Sequence, residues 1–244
     1  MKIDGRMPIT RIAAELPGAI AVFEALGLDY ACAGDRSLED AARAEGVDAE
    51  IVIASLRRLG HAEHAQSWQD RPLSEVVHYL VAQHHRFVRD ELGALALRLS
   101  DLCSTYGAID PDLVSLRAAF TRLADIVLPH LHREEQSIFL AVETLEERWQ
   151  SSEPGSMFPH DVGGHVRELT VEHGMISAHL RTLREMRLRL NAANDLPPRT
   201  AAILEELAAL EAHLHEYMFL ENCVLFPRAL ALEEQITAAA YQKA

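Results

Sequence analysis

Two stretches decide the fold: His130-Leu131-His132-Arg133-Glu134-Glu135-Gln136-Ser137-Ile138-Phe139 and, 87 residues further on, Tyr217-Met218-Phe219-Leu220-Glu221-Asn222-Cys223-Val224-Leu225-Phe226. Each carries a polar ring followed four residues later by glutamate, and then by an aliphatic residue and phenylalanine. On a helix, residues four apart stack on one face. Working outward, the stripe Phe120, Leu123, Val127, His130, Glu134, Ile138 maps onto Leu207, Leu210, Leu214, Tyr217, Glu221, Leu225. The segments before them repeat as well. Val81, His85, Val88, Leu92 and Leu95 become Leu169, His173, Ile176, Leu180 and Leu183, shifted by 88 residues. These are core positions of packed helices, so this part of the chain is two copies of one helical hairpin.

Periodicity of three and four runs through the rest of the chain, and no stretch alternates convincingly with period two. The fold class is therefore all-α. Four long helices are expected at roughly 72–103, 112–149, 160–192 and 198–235, separated by Tyr106-Gly107 to Asp110-Pro111, Ser151 to Gly155, and Asn194 to Pro198. Breaks this short favour an antiparallel four-helix bundle. Ahead of it, short helices are punctuated by Pro17-Gly18, by a cap at Ser37 with Asp40 three residues on, and by Asp48. The expected organisation is a small helical N-terminal domain over 1–65, a linker over 66–71, the bundle over 72–235 and a tail over 236–244.

A formal charge of −14 argues against nucleic acid or an anionic membrane surface as partner, since both recruit basic patches. No run approaches the ~20 apolar residues of a membrane span, and Ala19 to Phe23 is too short for a signal segment. Cytoplasm is the expected compartment. The three cysteines show no CxxC spacing, which excludes a disulfide framework and a zinc ribbon. The 13 histidines are the compositional anomaly.

His85 lies about 18 residues before the end of its helix and His130 about 18 after the start of the next, which brings them level in an antiparallel pair. His173 and Tyr217 stand in the same relation, with Glu134 and Glu221 one turn along. Carboxylates and imidazoles converging in an apolar core are costly unless a cation compensates them. A dinuclear metal centre does so, with bridging glutamates and terminal histidines. The donor set suits iron, manganese or a mixed manganese–iron pair, and disfavours zinc. The spacing His-x-x-x-Glu differs from the Glu-x-x-His of ferritin-like bundles. His84, His132, His179, His213 and His215 lie off the matched level, and most are expected at the surface or as outer partners.

At these residues the sequence resembles the haemerythrin-like family, and more narrowly the repair-of-iron-centres proteins. The resemblance rests on His130 to Phe139, on Glu221 to Ala229 (Glu-Asn-x-x-Leu-Phe-Pro-Arg-Ala), on Glu172-His173, and on Asp29 to Gly34 followed by Ser37 to Ala41. It implies two non-haem iron ions held by His85, His130, Glu134, His173 and Glu221. Glu172, His84, His213 and His215 are candidate outer partners or alternative ligands. The family's fourth histidine falls at Tyr217. Three arrangements are open there: a phenolate ligand, a neutral hydrogen-bonded phenol that leaves one iron open, or His213 or His215 swinging in. Ala31-Cys32 stands where the family has paired cysteines, so Cys32 is either a lone redox thiol or a buried cysteine. The resemblance implies a stress-response factor that restores iron–sulfur proteins damaged by nitric oxide or peroxide, by delivering iron. The competing expectations are a di-iron enzyme that reduces nitric oxide or activates dioxygen, and a binder or sensor of those gases. A homodimer is compatible with either.

Overall fold

The structure is a computed structural model that describes residues 3–16, 18–32, 36–59, 68–151, 161–192 and 197–243. Among these there is no β-strand. Helices α1 (Ile9–Glu15), α2 (Gly18–Leu26), α3 (Leu38–Ala44) and α4 (Ala49–Arg58) pack on one another. The expected caps form: Ser37 Oγ accepts from the Asp40 amide and the Asp48 side chain from the Glu50 amide. Pro17, the end of the Asp29–Gly34 turn and the first two residues of the expected linker lie outside the described residues.

Four long arms follow. The first is α5 (Leu73–Tyr79), a π-helical turn (Leu80–His85) and α6 (Arg86–Tyr106). The second is α7 (Pro111–Gln136) and α8 (Ile138–Ser151); Asp110 caps α7 with Pro111 at its first position. The third is α9 (Val162–Ala192). The fourth is α10 (Pro198–Leu220), a second π-helical turn (Glu221–Leu225) and α11 (Phe226–Lys243). Each arm packs on two others, α6 on α7, α7 on α9, α9 on α10 and α10 on α6, which closes the antiparallel ring. The expected tail from 236 is instead helical as far as Lys243. The sequence there has no breaker, so nothing ends the helix.

The arms are less regular than their periodicity suggests. Two arms contain π turns, and the second breaks at Ser137, whose hydroxyl bonds back to the Arg133 carbonyl at 2.6 Å. Pro227 follows the second π turn. It has no N–H to return to Cys223, and its ring crowds that carbonyl, which opens the backbone there. All three irregularities fall within a few residues of a buried histidine or glutamate, where such bulges serve to re-aim side chains.

The duplication extends to helix starts. Glu146 accepts from the Leu73 and Ser74 amides at 2.6 and 3.0 Å, and its repeat partner Glu233 accepts from the Val162 amide at 3.1 Å. Each carboxylate faces the positive end of a helix. The N-terminal helices dock on the bundle through polar contacts. Arg184 donates to the Gly27 carbonyl at 2.5 Å, Ser177 to Asp29, and Asn222 to the Ala31 carbonyl at 2.9 Å. Gly27 ends α2 with φ of 70°, and a Cβ there would lie 2.5 Å from the Arg184 guanidinium. Among the described residues no helix is long and apolar enough to cross a membrane.

Candidate metal centre

All four stripes send polar side chains into the bundle interior, and His85, His130, Glu134, His173, Tyr217 and Glu221 are all buried with no exposed surface. Glu134 is the hub. Its Oε1 lies 2.9 Å from His130 Nε2 and 3.4 Å from His173 Nε2, and its Oε2 lies 3.3 Å from His85 Nε2. Glu221 Oε2 is 3.2 Å from His173 Nε2. The Tyr217 ring centroid lies 5.8, 6.5 and 6.3 Å from those of His85, His130 and His173.

The outward sides of the three imidazoles are fully assigned. His85 Nδ1 donates to Glu135 at 2.8 Å, His130 Nδ1 to Glu172 at 2.7 Å, and His173 Nδ1 to the Asn222 side-chain oxygen at 3.0 Å. The acceptors fix the tautomer, since a carboxylate only accepts and Asn222 spends its amine on Ala31. In the neutral ring each Nε2 therefore turns a lone pair inward, the state in which histidine binds a metal. His130 and His173 then face one another nitrogen to nitrogen at 3.1 Å, which only a shared proton or a cation relieves.

The pseudo-symmetry of the sequence holds in these contacts. Phe139 stacks on His85 at 5.3 Å and its repeat partner Phe226 on His173 at 5.9 Å. Glu135 and Asn222, which support those two histidines, are also repeat partners. Sequence reasoning did not single out either as a support. The available signal was position: each directly follows a core glutamate, about 100° further round the helix, and so points at the neighbouring arm.

Five atoms of the cluster have no hydrogen-bond partner: His85 Nε2, Glu134 Oε2, the Tyr217 hydroxyl and both Glu221 oxygens. Buried carboxylates and a buried phenol are costly in that condition. Imidazole nitrogens, carboxylates and a phenol oxygen make a hard-to-borderline donor set that fits first-row transition metals.

The remaining residues separate clearly. His84 and His215, expected at the surface or as outer partners, are buried, and neither contacts a metal-facing atom of the six-residue cluster through a hydrogen bond. His215 faces away from the centre and pairs through Nδ1 with Glu24 of α2 at 3.0 Å, tying the N-terminal helices to the bundle. His84 and His213 pack ring to ring at 5.8 Å on another side of the bundle. Burial, then His213 and His85, push His84 down to about 4, so its imidazole is neutral at physiological pH. His132 is exposed and His179 half-buried. Cys32 lies 4.0 Å from the Met218 sulfur and 3.9 Å from the Asn222 amine, one residue removed from His173. Burial, then Asp29 and Cys223, push its thiol up, which keeps it protonated at neutral pH.

The chain matches the Hemerythrin HHE cation binding domain over residues 75–229, which contains every residue of the buried cluster. The chain belongs to that family. Residues 5–60 match a second domain, described as one of unknown function, DUF542. The chain is 27% identical over 231 residues to the Iron-sulfur cluster repair protein YtfE of Escherichia coli O157:H7, covering 93% of this chain and 97% of the relative. It is 25% identical over 226 residues to the protein of the same name from Shigella boydii serotype 4, with the same coverage. A haemerythrin-like helical domain preceded by a small helical region is thus common ground between the sequence, the structure and the family match.

The electrostatics give a pH test. Burial opposes charge on His173, yet its contacts with Glu134 and Glu221 raise it to about 10. His85 and His130 are also raised, Glu134 outweighing burial. Glu134 is held well below the usual range by His130, His173 and His85 despite its burial. Burial, then the Glu134 charge, push Glu221 up to about 7. Groups raised on folding stabilise at low pH and lose that contribution as pH rises: Glu221 between 4.5 and about 7, His173 between 6.5 and about 10. Glu134 acts in the opposite sense, only as pH falls below its ordinary 4.5. The Tm of chelator-treated protein should therefore fall from pH 6.5 to 10, whereas metal-loaded protein, whose cluster has already released its protons, should stay nearly level. Parallel thermal melts followed by circular dichroism read this; identical profiles would contradict it.

Proposed function

We propose that the chain is a cytoplasmic non-haem di-iron protein that helps repair damaged iron–sulfur clusters, with iron from its buried centre as the cargo. Six fully buried side chains that converge on one point, four of them with orphaned inward atoms, carry the metal reading. Relatives named iron-sulfur cluster repair protein along nearly the whole chain support the role. His85, His130, Glu134, His173, Tyr217 and Glu221 would hold two iron ions. Bound iron would supply a redox-active cation that can be given up.

The chain's own residues do the rest. Glu135, Glu172 and Asn222 keep three imidazole lone pairs aimed inward. Phe139 and Phe226 wall the histidines and exclude water. Tyr217 stands where the repeat has His130 and takes the place of the family's fourth histidine, offering a phenolate instead of an imidazole. Its buried hydroxyl, unpartnered among protein groups, supports this. Residues 1–65 and 72–235 act as two domains, the smaller one docked over Asn222 and so next to the support of His173.

The test is transfer. Iron-loaded protein should restore a cluster enzyme inactivated by nitric oxide or peroxide, in proportion to the iron it gives up. Equal restoration by the chelated protein removes the case for delivery. Sustained nitric oxide consumption with an electron donor would assign an enzyme instead, and a reversible spectral change on adding and removing the gas would assign a binder.

A further inference from the structure

The pseudo-symmetry between the two hairpins fails at one corner. In one half Glu172 receives His130 Nδ1 and the Arg133 guanidinium, the latter at 2.6 Å. In the equivalent corner His84 stands for Glu172 and Tyr217 for His130, while His213 and Glu216 of α10 replace Ile126 and Pro129 of α7. We propose that His84, His213 and Glu216 hold one divalent transition-metal ion at a site separate from the buried centre.

One ligand atom from each of the three lies within 4.8 Å of the other two. His84 is 2% exposed, and neither of its ring nitrogens has a hydrogen-bond partner; His213 Nδ1 is likewise buried and unpartnered. Aromatic contacts hold the two rings in place. Tyr79 meets His84 edge-on at 5.3 Å, and Phe87 stacks on His213 at 3.9 Å. These faces supply no polar atom to the imidazole nitrogens, so the nitrogens are left for a ligand. Two imidazoles and one carboxylate form the donor set of open zinc and ferrous sites, which leave further positions to water. A tetrahedral site separates its donors by ~3.3 Å, so an ion draws these three together from within 4.8 Å. Glu216 and His213 are partly exposed, so the ion reaches the site from solvent. His84 and Glu216 each adjoin a residue of the buried cluster in sequence, but successive helical residues point about 100° apart, which sets this site between the first π-helical turn and α10.

The experiment uses the full chain with its buried centre loaded with iron, dialysed against cobalt(II), with zinc(II) and ferrous iron as parallel arms. Wild type should take up one further ion per chain, and the cobalt form should show visible d–d bands. Affinity for that ion should fall roughly 100-fold in His213→Ala and in Glu216→Gln, with the iron content of the centre unchanged. Uptake by only one of the three metals still supports the site and names its ion. No additional ion in wild type, an additional ion retained by both variants, or loss of iron from the buried centre in step with the added ion would overturn the proposal.

Discussion

Glu134→Ala should strip the buried centre of metal altogether, the largest effect of any single substitution in the chain. Glu134 is the carboxylate, among the described residues, that lies within ion-pair distance of His85, His130 and His173 together. Its loss removes a donor common to both halves of the site and the main counter-charge of three imidazoles. Outer partners of metal ligands are already worth 10–100-fold in affinity, so roughly 100-fold or more is expected for the hub itself. Removing one member of a buried ionic cluster also destabilises the chelated protein by about 3–5 kcal/mol. Metal analysis after dialysis reads the first effect, and denaturant unfolding the second. Glu134→Gln separates them: its amide keeps the shape and oxygen but not the charge, so folding should largely recover while metal content does not. Iron retained at wild-type level in a folded Glu134→Gln protein would remove this carboxylate from the centre.

Tyr217→Phe should abolish the visible phenolate-to-iron charge-transfer colour of the oxidised, iron-loaded protein. The same substitution should leave the chelated protein equally or more stable, because it deletes a hydroxyl that is buried without a protein partner, a condition costing about 1–3 kcal/mol. Burial, then Glu134 and Glu221, raise the Tyr217 phenol far above its ordinary range, so only a bound cation makes the phenolate accessible. The two readouts therefore move in opposite directions. Tyr217→His should lose the colour but keep the iron. Unchanged colour in Tyr217→Phe would show that the tyrosine is packing around the site without joining it.

Much of this was legible in the residues alone. The stripe that carries His130 and Glu134 and its copy with Tyr217 and Glu221 fix helix faces, and every residue in both stripes is buried as expected. The break at Ser137 and the two π turns were not legible, because hydrophobic spacing reports an average helix and is blind to one inserted residue. His84 illustrates the cost. Its place off the matched stripe suggested an outer position, yet it is sealed between α10 and Tyr79.

By itself the sequence determined the all-α class, the duplicated hairpin and the identity of the inward acids and imidazoles, since spacing along one helix is a local property. The tertiary structure alone decided what holds those side chains: Glu135 on His85, Glu172 on His130 and Asn222 on His173. It likewise paired His215 with Glu24 and brought His84 to His213. Such pairs join different helices, and their meeting depends on how each helix is rotated about its axis, a quantity set by packing and by the π turns.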